Sequence, residues 1–195
     1  MENKTVIGFI GAGNMAYALI KGLLNNGFDA NQINISDPNE ELLLNRESEL
    51  KVTTYPDNTA LLSNSDIIFF AVKPQVLSSV CLELKGVVKS KHLFVSIVAG
   101  IRSSDINRWL GGNFALIRTM PNTPALFQSG VTGLFANKVV DNDQKSLVES
   151  ILSSVGECFW VNEEKLIDAI TAISGSGPAY FFLLMESMKQ AGMAL

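Results

Sequence analysis

The sequence predicts an α/β chain: an N-terminal Rossmann-type doubly wound sheet followed by the start of an all-helical C-terminal domain. Three observations lead there. Short apolar, β-branched runs alternate with helical patterns up to about residue 161. Two glycines, Gly11 and Gly13, sit where the first strand gives way to the first helix. Beyond Asn162 no strand pattern recurs. The chain therefore divides into 1–162 and 163–195.

The opening stretch, Lys4 to Ala16, is read as a buried strand, a tight turn and a helix start. Met15, Leu19, Ile20, Leu23 and Leu24 follow at helical spacing. Gly11 permits the turn, Gly13 lets backbone approach a pyrophosphate, and Ala16 allows close helix–strand packing. The helix N-terminus offers free N–H groups to an anion. The alternative is a tight βα turn without a ligand. Gly27 ends the helix.

Gln32 to Ser36 is the second strand and Glu40 to Glu47 the next helix. Asp37 lies between them, about 20 residues beyond the glycines, where an acidic residue bonds the ribose 2′-OH of NAD. No basic residue stands beside it in sequence, and Arg46 is expected one helix face away. This leans towards NAD; the alternative is that Asp37 is a turn residue before Pro38.

Lys51 to Thr54 forms a short third strand, and Asp57 caps a short helix to Leu62. Ile67 to Val72 is a buried strand that ends in Lys73-Pro74. Lys73 thus stands either at the ligand end of the sheet or in a solvated loop. Gln75 to Leu84 is a helix, and His92 to Gly100 the next strand. His92, the one histidine, enters that strand at the end opposite a ligand crevice and reads as structural or surface.

Ser103 to Asp105 cap a helix through Leu110, and Phe114 to Arg118 is a further strand. Met120-Pro121-Asn122-Thr123-Pro124 is either a rigid loop that orients Asn122 and Thr123 or a plain connector. Gly130 to Ala136, a helix from Asp141 to Ser153, and Gly156 to Val161 complete the sheet region. Glu163 to Ile173 is helical, Ser174 to Pro178 interrupts it, and Ala179 to Leu195 is helical again. Phe181, Phe182, Leu184, Met185, Met188 and Met193 give that last helix an apolar face that must dock on another chain or on further residues.

A high apolar fraction supplies a large core, and no run of about 18 apolar residues is counted, so no membrane partner is expected. Met1-Glu2-Asn3-Lys4 leads straight into the first strand and leaves no room for a signal peptide. The net charge of −4, with no Lys/Arg cluster, argues against nucleic acid. Cys81 and Cys158 match no metal or redox spacing and read as buried apolar residues, which suggests the cytoplasm.

Four segments together resemble pyrroline-5-carboxylate reductase: Gly8 to Met15, Ala71 to Pro74, Met120 to Pro124, and Ser174 to Tyr180. The first is shared with other Rossmann dehydrogenases; the last two are more specific. The resemblance implies reduction of 1-pyrroline-5-carboxylate to L-proline, with NADP or NAD in reduced form as hydride donor. Such a reaction requires no strong side-chain base, so no catalytic residue and no metal is assigned.

It further implies that Ile10, Gly11, Ala12, Gly13, Asn14 and Met15 hold the pyrophosphate. Asp37 and Asn39 would flank the adenine ribose, with Asn58 approaching from the next loop. Ala71, Val72, Lys73 and Pro74 would line the cofactor cleft, and Ile97, Val98 and Ala99 would lie nearer the nicotinamide. Glu164 would contact substrate, or Glu163, since the match there needs a one-residue insertion.

Family members continue into helices with a Ser-Pro-Gly-Gly-Thr-type motif that bind substrate and interleave subunits. On this reading 163–195 begins a helical dimerisation and substrate domain, and the chain is a C-terminally shortened member. The full-length protein would be a homodimer or higher homo-oligomer, with turnover by these residues alone left open. Two alternatives share the glycine turn. One is a β-hydroxyacid dehydrogenase or imine reductase, for which Lys189 is the single lysine candidate in an unmatched context. The other is a non-catalytic nucleotide-binding domain.

Overall fold

A computed structural model describes residues 5–194. Met1 to Lys4, on which the signal-peptide reading rests, and Leu195 lie outside the described residues. In chain order the strands are β1 (Ile7–Ile10), β2 (Ile33–Ser36), β3 (Thr53–Tyr55), β4 (Ile67–Phe70), β5 (Leu93–Ser96), β6 (Ala115–Met120), β7 (Gly130–Ala136) and β8 (Gly156–Trp160). The intervening helices are α1 (Asn14–Asn25), α2 (Glu40–Leu50), α3 (Asn58–Ser63), α4 (Pro74–Leu84), α5 (Ser103–Leu110) and α6 (Asn142–Leu152). They are followed by α7 (Lys165–Ile170) and α8 (Gly177–Ala194).

The strands form one sheet in the order β3-β2-β1-β4-β5-β6-β7-β8. β1 is flanked by β2 and β4, both parallel to it, so the order reverses beside β1. Ligands bind at such a switch point, outside the carboxyl ends of the strands. Among the described residues only the β6–β7 pairing is antiparallel.

The doubly wound reading holds because the central strands β1, β4 and β5 bury apolar residues on both faces. Ile7, Phe9, Ile67, Phe69, Leu93 and Val95 face a core shared with α1, α2 and α6. Ile68, Phe70 and Phe94 face the opposite core, shared with α3, α4 and α5. Phe9 stacks on Phe69 at 4.8 Å and Phe70 on Phe94 at 5.4 Å, one pair per face. Each such ring contributes about 2 kcal/mol by leaving water.

Several expectations are corrected. β3 begins at Thr53, since Lys51 takes a left-handed conformation that ends α2. β5 stops at Ser96, and His92 precedes it. α5 is preceded by Arg102 without a side-chain cap; Ser103 is its first residue and its hydroxyl bonds Glu164. Cys158 is half-buried rather than buried. Asp57 caps α3 as expected, and Asp141, read as the first residue of its helix, is instead the cap of α6.

The largest correction concerns Ser174 to Pro178. The chain there does not leave the helix: Thr171–Gly175 is a π turn that joins α7 to α8. The N–H of Ser176 donates to the Thr171 carbonyl at 2.8 Å, five residues back. The wider turn absorbs Pro178, which has no N–H to give.

The resulting helix, Lys165–Ala194, is long and apolar enough to cross a membrane by length and composition, contrary to the count of consecutive apolar residues. Small polar residues interrupt the run without lowering its hydropathy enough. Tyr180 to Met185, Met188 and Met193 are all exposed.

Arg118 on β6 pins this helix to the sheet. Its side chain is 1% exposed, and its guanidinium donates to Glu164 at 3.1 Å and Asp168 at 3.2 Å. A buried guanidinium left without carboxylates, or carboxylates left without it, is costly. Arg118→Ala is expected to lower unfolding free energy by about 3 kcal/mol. Asp168→Asn, at a half-exposed position, should cost less than about 1 kcal/mol. Urea unfolding checks both.

His92 is buried. Its Nδ1 accepts the N–H of Lys89 at 3.1 Å, and its Nε2 has no partner among the described residues. Burial, reinforced by the charges of Lys91 and Lys89, pushes its pKa down from 6.5 to about 4. Between those values the unfolded chain binds a proton that the folded chain does not, so stability falls as pH falls through that window. The urea midpoint should therefore drop from pH 7 to pH 5, and His92→Asn, which can still accept from Lys89, should flatten that component of the drop.

Candidate functional site

The site is built on the end of β1. Its last residue, Ile10, accepts the N–H of Ala71 at 2.8 Å, and Gly11 donates to the Ser36 carbonyl at 2.8 Å. Gly11 has φ +104°, and a Cβ there would meet the Ala71 carbonyl oxygen at 2.5 Å. Both the turn and the approach of β4 require glycine. Gly13 differs: its φ is −67°, it is exposed, and a Cβ would meet nothing within 4 Å. The protein does not need glycine there, and the space before it is open.

α1 starts at once. Gly13 supplies no capping side chain and the first turn holds no acidic residue. Its leading N–H groups have no acceptor within the helix. These features fit the pyrophosphate of a dinucleotide, an anion received by a helix N-terminus. α2, α3 and α6 instead carry their own side-chain caps, Asn39, Asp57 and Asp141.

The Ala12 peptide is held from both sides. Its N–H donates to Asp37 Oδ2 at 2.9 Å, and its carbonyl accepts Arg46 Nε at 3.2 Å. Arg46 also lies over the Tyr17 ring at 4.3 Å. Arg46 is therefore not a helix face away from Asp37: both hold the same peptide, and the length of Arg46 carries its guanidinium back from the second turn of α2. The other Asp37 oxygen accepts the N–H of Asn39 at 2.9 Å.

Two pockets open at the carboxyl edge of the sheet. One, about 360 Å³, is lined by Ile10, Gly11, Ser36, Asp37, Asn58, Val72 and Glu83 among others. The second, about 330 Å³, is lined by Met15, Ala71, Val72, Ile97, Ala99 and the Met120–Thr123 segment. Thr171, Gly175 and Ser176 of the helix close its far wall. Val72 lines both, so the two form one crevice across the β1–β4 switch point.

The structure thus brings together most of the residues read from sequence. Ala12 is buried in the loop, and Asn14 is exposed at the start of α1. Asn39 caps α2 by accepting from Leu42 at 3.0 Å. Ala12, Gly13, Asn14 and Asn39 adjoin the two linings without entering them, and Val98, Lys73, Pro74 and Glu164 stand apart. Val98 is 3% exposed and packs in the α3–α5 core, and Lys73 and Pro74 are exposed at the start of α4, outside both linings. The carboxylate of Glu164 is engaged by the Ser103 N–H at 2.6 Å, the Ser103 hydroxyl at 3.0 Å and Arg118.

Asn122 is indeed oriented. Its Oδ1 accepts the N–H of Val131 at 2.9 Å and its Nδ2 donates to Ser174 Oγ at 3.0 Å, which ties the loop to the helix. Sequence reading missed Glu83, Thr171 and Ser176 as lining residues. Only the three-dimensional return of α4 and of the π turn to the crevice identifies them. The thiol of Cys81 is pushed up to about 12 by burial, and His92 precedes β5, at the opposite edge of the sheet.

Residues 6–100 match the family described as NADP oxidoreductase coenzyme F420-dependent, and residues 164–195 match pyrroline-5-carboxylate reductase dimerisation. A pyrroline-5-carboxylate reductase from Pseudomonas aeruginosa is 44% identical over 189 residues, which cover 97% of this chain and 69% of that protein. Among solved structures, a pyrroline-5-carboxylate reductase from Coxiella burnetii superposes with a TM-score of 0.90 at 43% identity, covering 99% of this chain and 72% of that one. The Plasmodium falciparum pyrroline carboxylate reductase with NADP bound gives 0.85 at 32% identity, covering 100% of this chain and 71% of that one. With a relative this similar along nearly its whole length, and a glycine loop, crevice and apolar helix that fit it, the chain belongs to the pyrroline-5-carboxylate reductase family.

Proposed function

We propose that this chain reduces the C=N bond of 1-pyrroline-5-carboxylate to give L-proline, drawing on NADH or NADPH. The observation that carries the reading is the crevice that runs from the open glycine loop into a pocket walled by Asn122 and Ser176. That inner pocket is lined by apolar carbon and uncharged polar groups, which suits a flat nicotinamide ring beside a small cyclic imine. The bound nicotinamide supplies the hydride.

The chain's own residues bind and orient. Gly11 to Met15 receive the pyrophosphate on the first turn of α1. Asp37 and Asn58 line the pocket that receives the adenosine ribose, with Asn39 and Ala12 bonded to Asp37 beside it, and Ile10, Ala71 and Val72 shape the cleft between the two pockets. Ile97 and Ala99 wall the nicotinamide, with Val98 acting through the backbone. Lys73 and Pro74 form the outer rim. Glu164 is held by Ser103 and Arg118 and lines neither pocket, so its contact with substrate rests on the family resemblance.

The division into 1–162 as the cofactor domain and 163–195 as the beginning of a helical domain belongs to the same reading. It is supported by the dimerisation match and by the exposed apolar side chains of α8. Those side chains would be covered by a second copy in a homodimer. A cytoplasmic location accords with two cysteines that form no disulfide.

Incubation with 1-pyrroline-5-carboxylate and reduced cofactor should consume the nicotinamide absorbance and yield an equal amount of L-proline. Oxidation of a 3-hydroxy acid in place of this reaction would overturn the proposal. The two glycines separate binding from folding. Gly13→Ala should change stability by less than about 0.5 kcal/mol yet raise the dinucleotide Kd at least about tenfold. Gly11→Ala should lose stability as well, because of its positive φ and the Ala71 carbonyl. Thermal unfolding and fluorescence titration measure the two effects.

A further inference from the structure

We propose that Glu83 and Asp37 make the outer pocket a filter against a 2′-phosphate, so that the chain binds NADH in preference to NADPH. The inference rests on the dinucleotide reading above and assigns Glu83 a role that the family resemblance does not. The pocket of about 360 Å³ lies beside the end of β2, where a Rossmann sheet receives the adenosine ribose. Its lining includes three carboxylates, Asp37, Asp57 and Glu83, and no lysine or arginine.

Two of these carboxylates are held in place from opposite walls. Asp37 is fixed by the N–H groups of Ala12 and Asn39. Glu83, on α4, accepts Asn58 Nδ2 at 2.9 Å, and Asn58 Oδ1 in turn accepts the Ser36 hydroxyl at 2.8 Å. The relay Ser36–Asn58–Glu83 spans the pocket from the end of β2 to α4. It sets the Asn58 amide and draws the Glu83 charge over the ribose site.

A ribose 2′-hydroxyl can donate to such carboxylates. A 2′-phosphate is an acceptor that adds about −1.5 to −2 charges, and it needs cationic or N–H partners. Arg46 is the neighbouring cation, and it is committed elsewhere. Its Nε serves the Ala12 carbonyl, its plane covers Tyr17, and its Nη1 lies 3.8 Å from Glu49. Arg46 therefore shapes the glycine loop rather than receiving a phosphate.

The test is calorimetric titration of NADH and NADPH into the wild-type chain, Glu83→Gln and Arg46→Ala, at low and high salt. The wild type should bind NADH at least about tenfold more tightly at low salt. Glu83→Gln keeps an acceptor for Asn58 while losing the charge. It should narrow the ratio about threefold or more, through tighter NADPH binding. Added salt should narrow the wild-type ratio too, since charge repulsion is screened where a steric mismatch is not. Arg46→Ala should leave the preference for NADH in place. Equal or tighter wild-type binding of NADPH, an unchanged ratio in Glu83→Gln, or a loss of NADPH binding in Arg46→Ala that exceeds the loss of NADH binding would each overturn the filter. Binding of neither dinucleotide by the wild type would overturn the dinucleotide reading with it.

Discussion

The contact on which the site depends is the approach of the β1 end to the β4 end. Gly11 passes so close to the Ala71 carbonyl that no side chain fits between them. That closeness fixes where α1 starts and how its N-terminus aims. It also sets the width of the crevice, since Val72 follows Ala71 directly and lines both pockets. The Ala12 peptide, bonded to Asp37 and Arg46, then has little freedom. A mobile loop would have to be ordered by its ligand, whereas this one presents its N–H groups already arranged.

The same economy of position recurs on the far side of the crevice. β6 contributes Arg118 near its carboxyl end, where it grips Glu164 and Asp168. The loop after β6 contributes Asn122, which grips Ser174. Two polar attachments one helix length apart thus hold α7 and the π turn against the sheet edge, while α8 continues into solvent. The π turn sits at the second attachment. Its extra residue per turn brings Gly175 and Ser176 to the pocket wall, which an uninterrupted α-helix would rotate away.

Most of the sheet was legible in the sequence because its inner strands are buried on both faces and read as continuous apolar runs. Ile67 to Phe70 and Leu93 to Ser96 are examples. β3 was misplaced by two residues because Thr53, Thr54 and Tyr55 are exposed or half-buried at the sheet edge, so no apolar pattern marks them. Ser174 to Pro178 looked like a break because glycine and proline are local signals, whereas the hydrogen bond that keeps the helix going skips five residues. The glycine loop was legible from spacing alone, as was the position of Asp37 at the end of β2. Arg46 was not, because what matters is the length of its side chain and the carbonyl that it finds. Glu83 was invisible for a related reason: it reaches the ribose pocket through Asn58, an interaction 25 residues apart in the chain.

This difference between local and returning signals explains how the family match is distributed. The dinucleotide loop is a local device, and strand, turn and helix suffice to build it, so it is shared among many oxidoreductases. The inner pocket instead needs β1, β4, β5, the loop after β6 and the π turn at one place. Segments that must meet there constrain one another in shape. The Met120–Pro124 and Ser174–Tyr180 motifs, joined by the Asn122–Ser174 bond, are therefore more specific to the reductase than the glycines are. The glycine loop fixes where a hydride donor can lie. The second pair of motifs sets the shape of the space left beside it, and in the proposed reaction that space is where the cyclic imine lies.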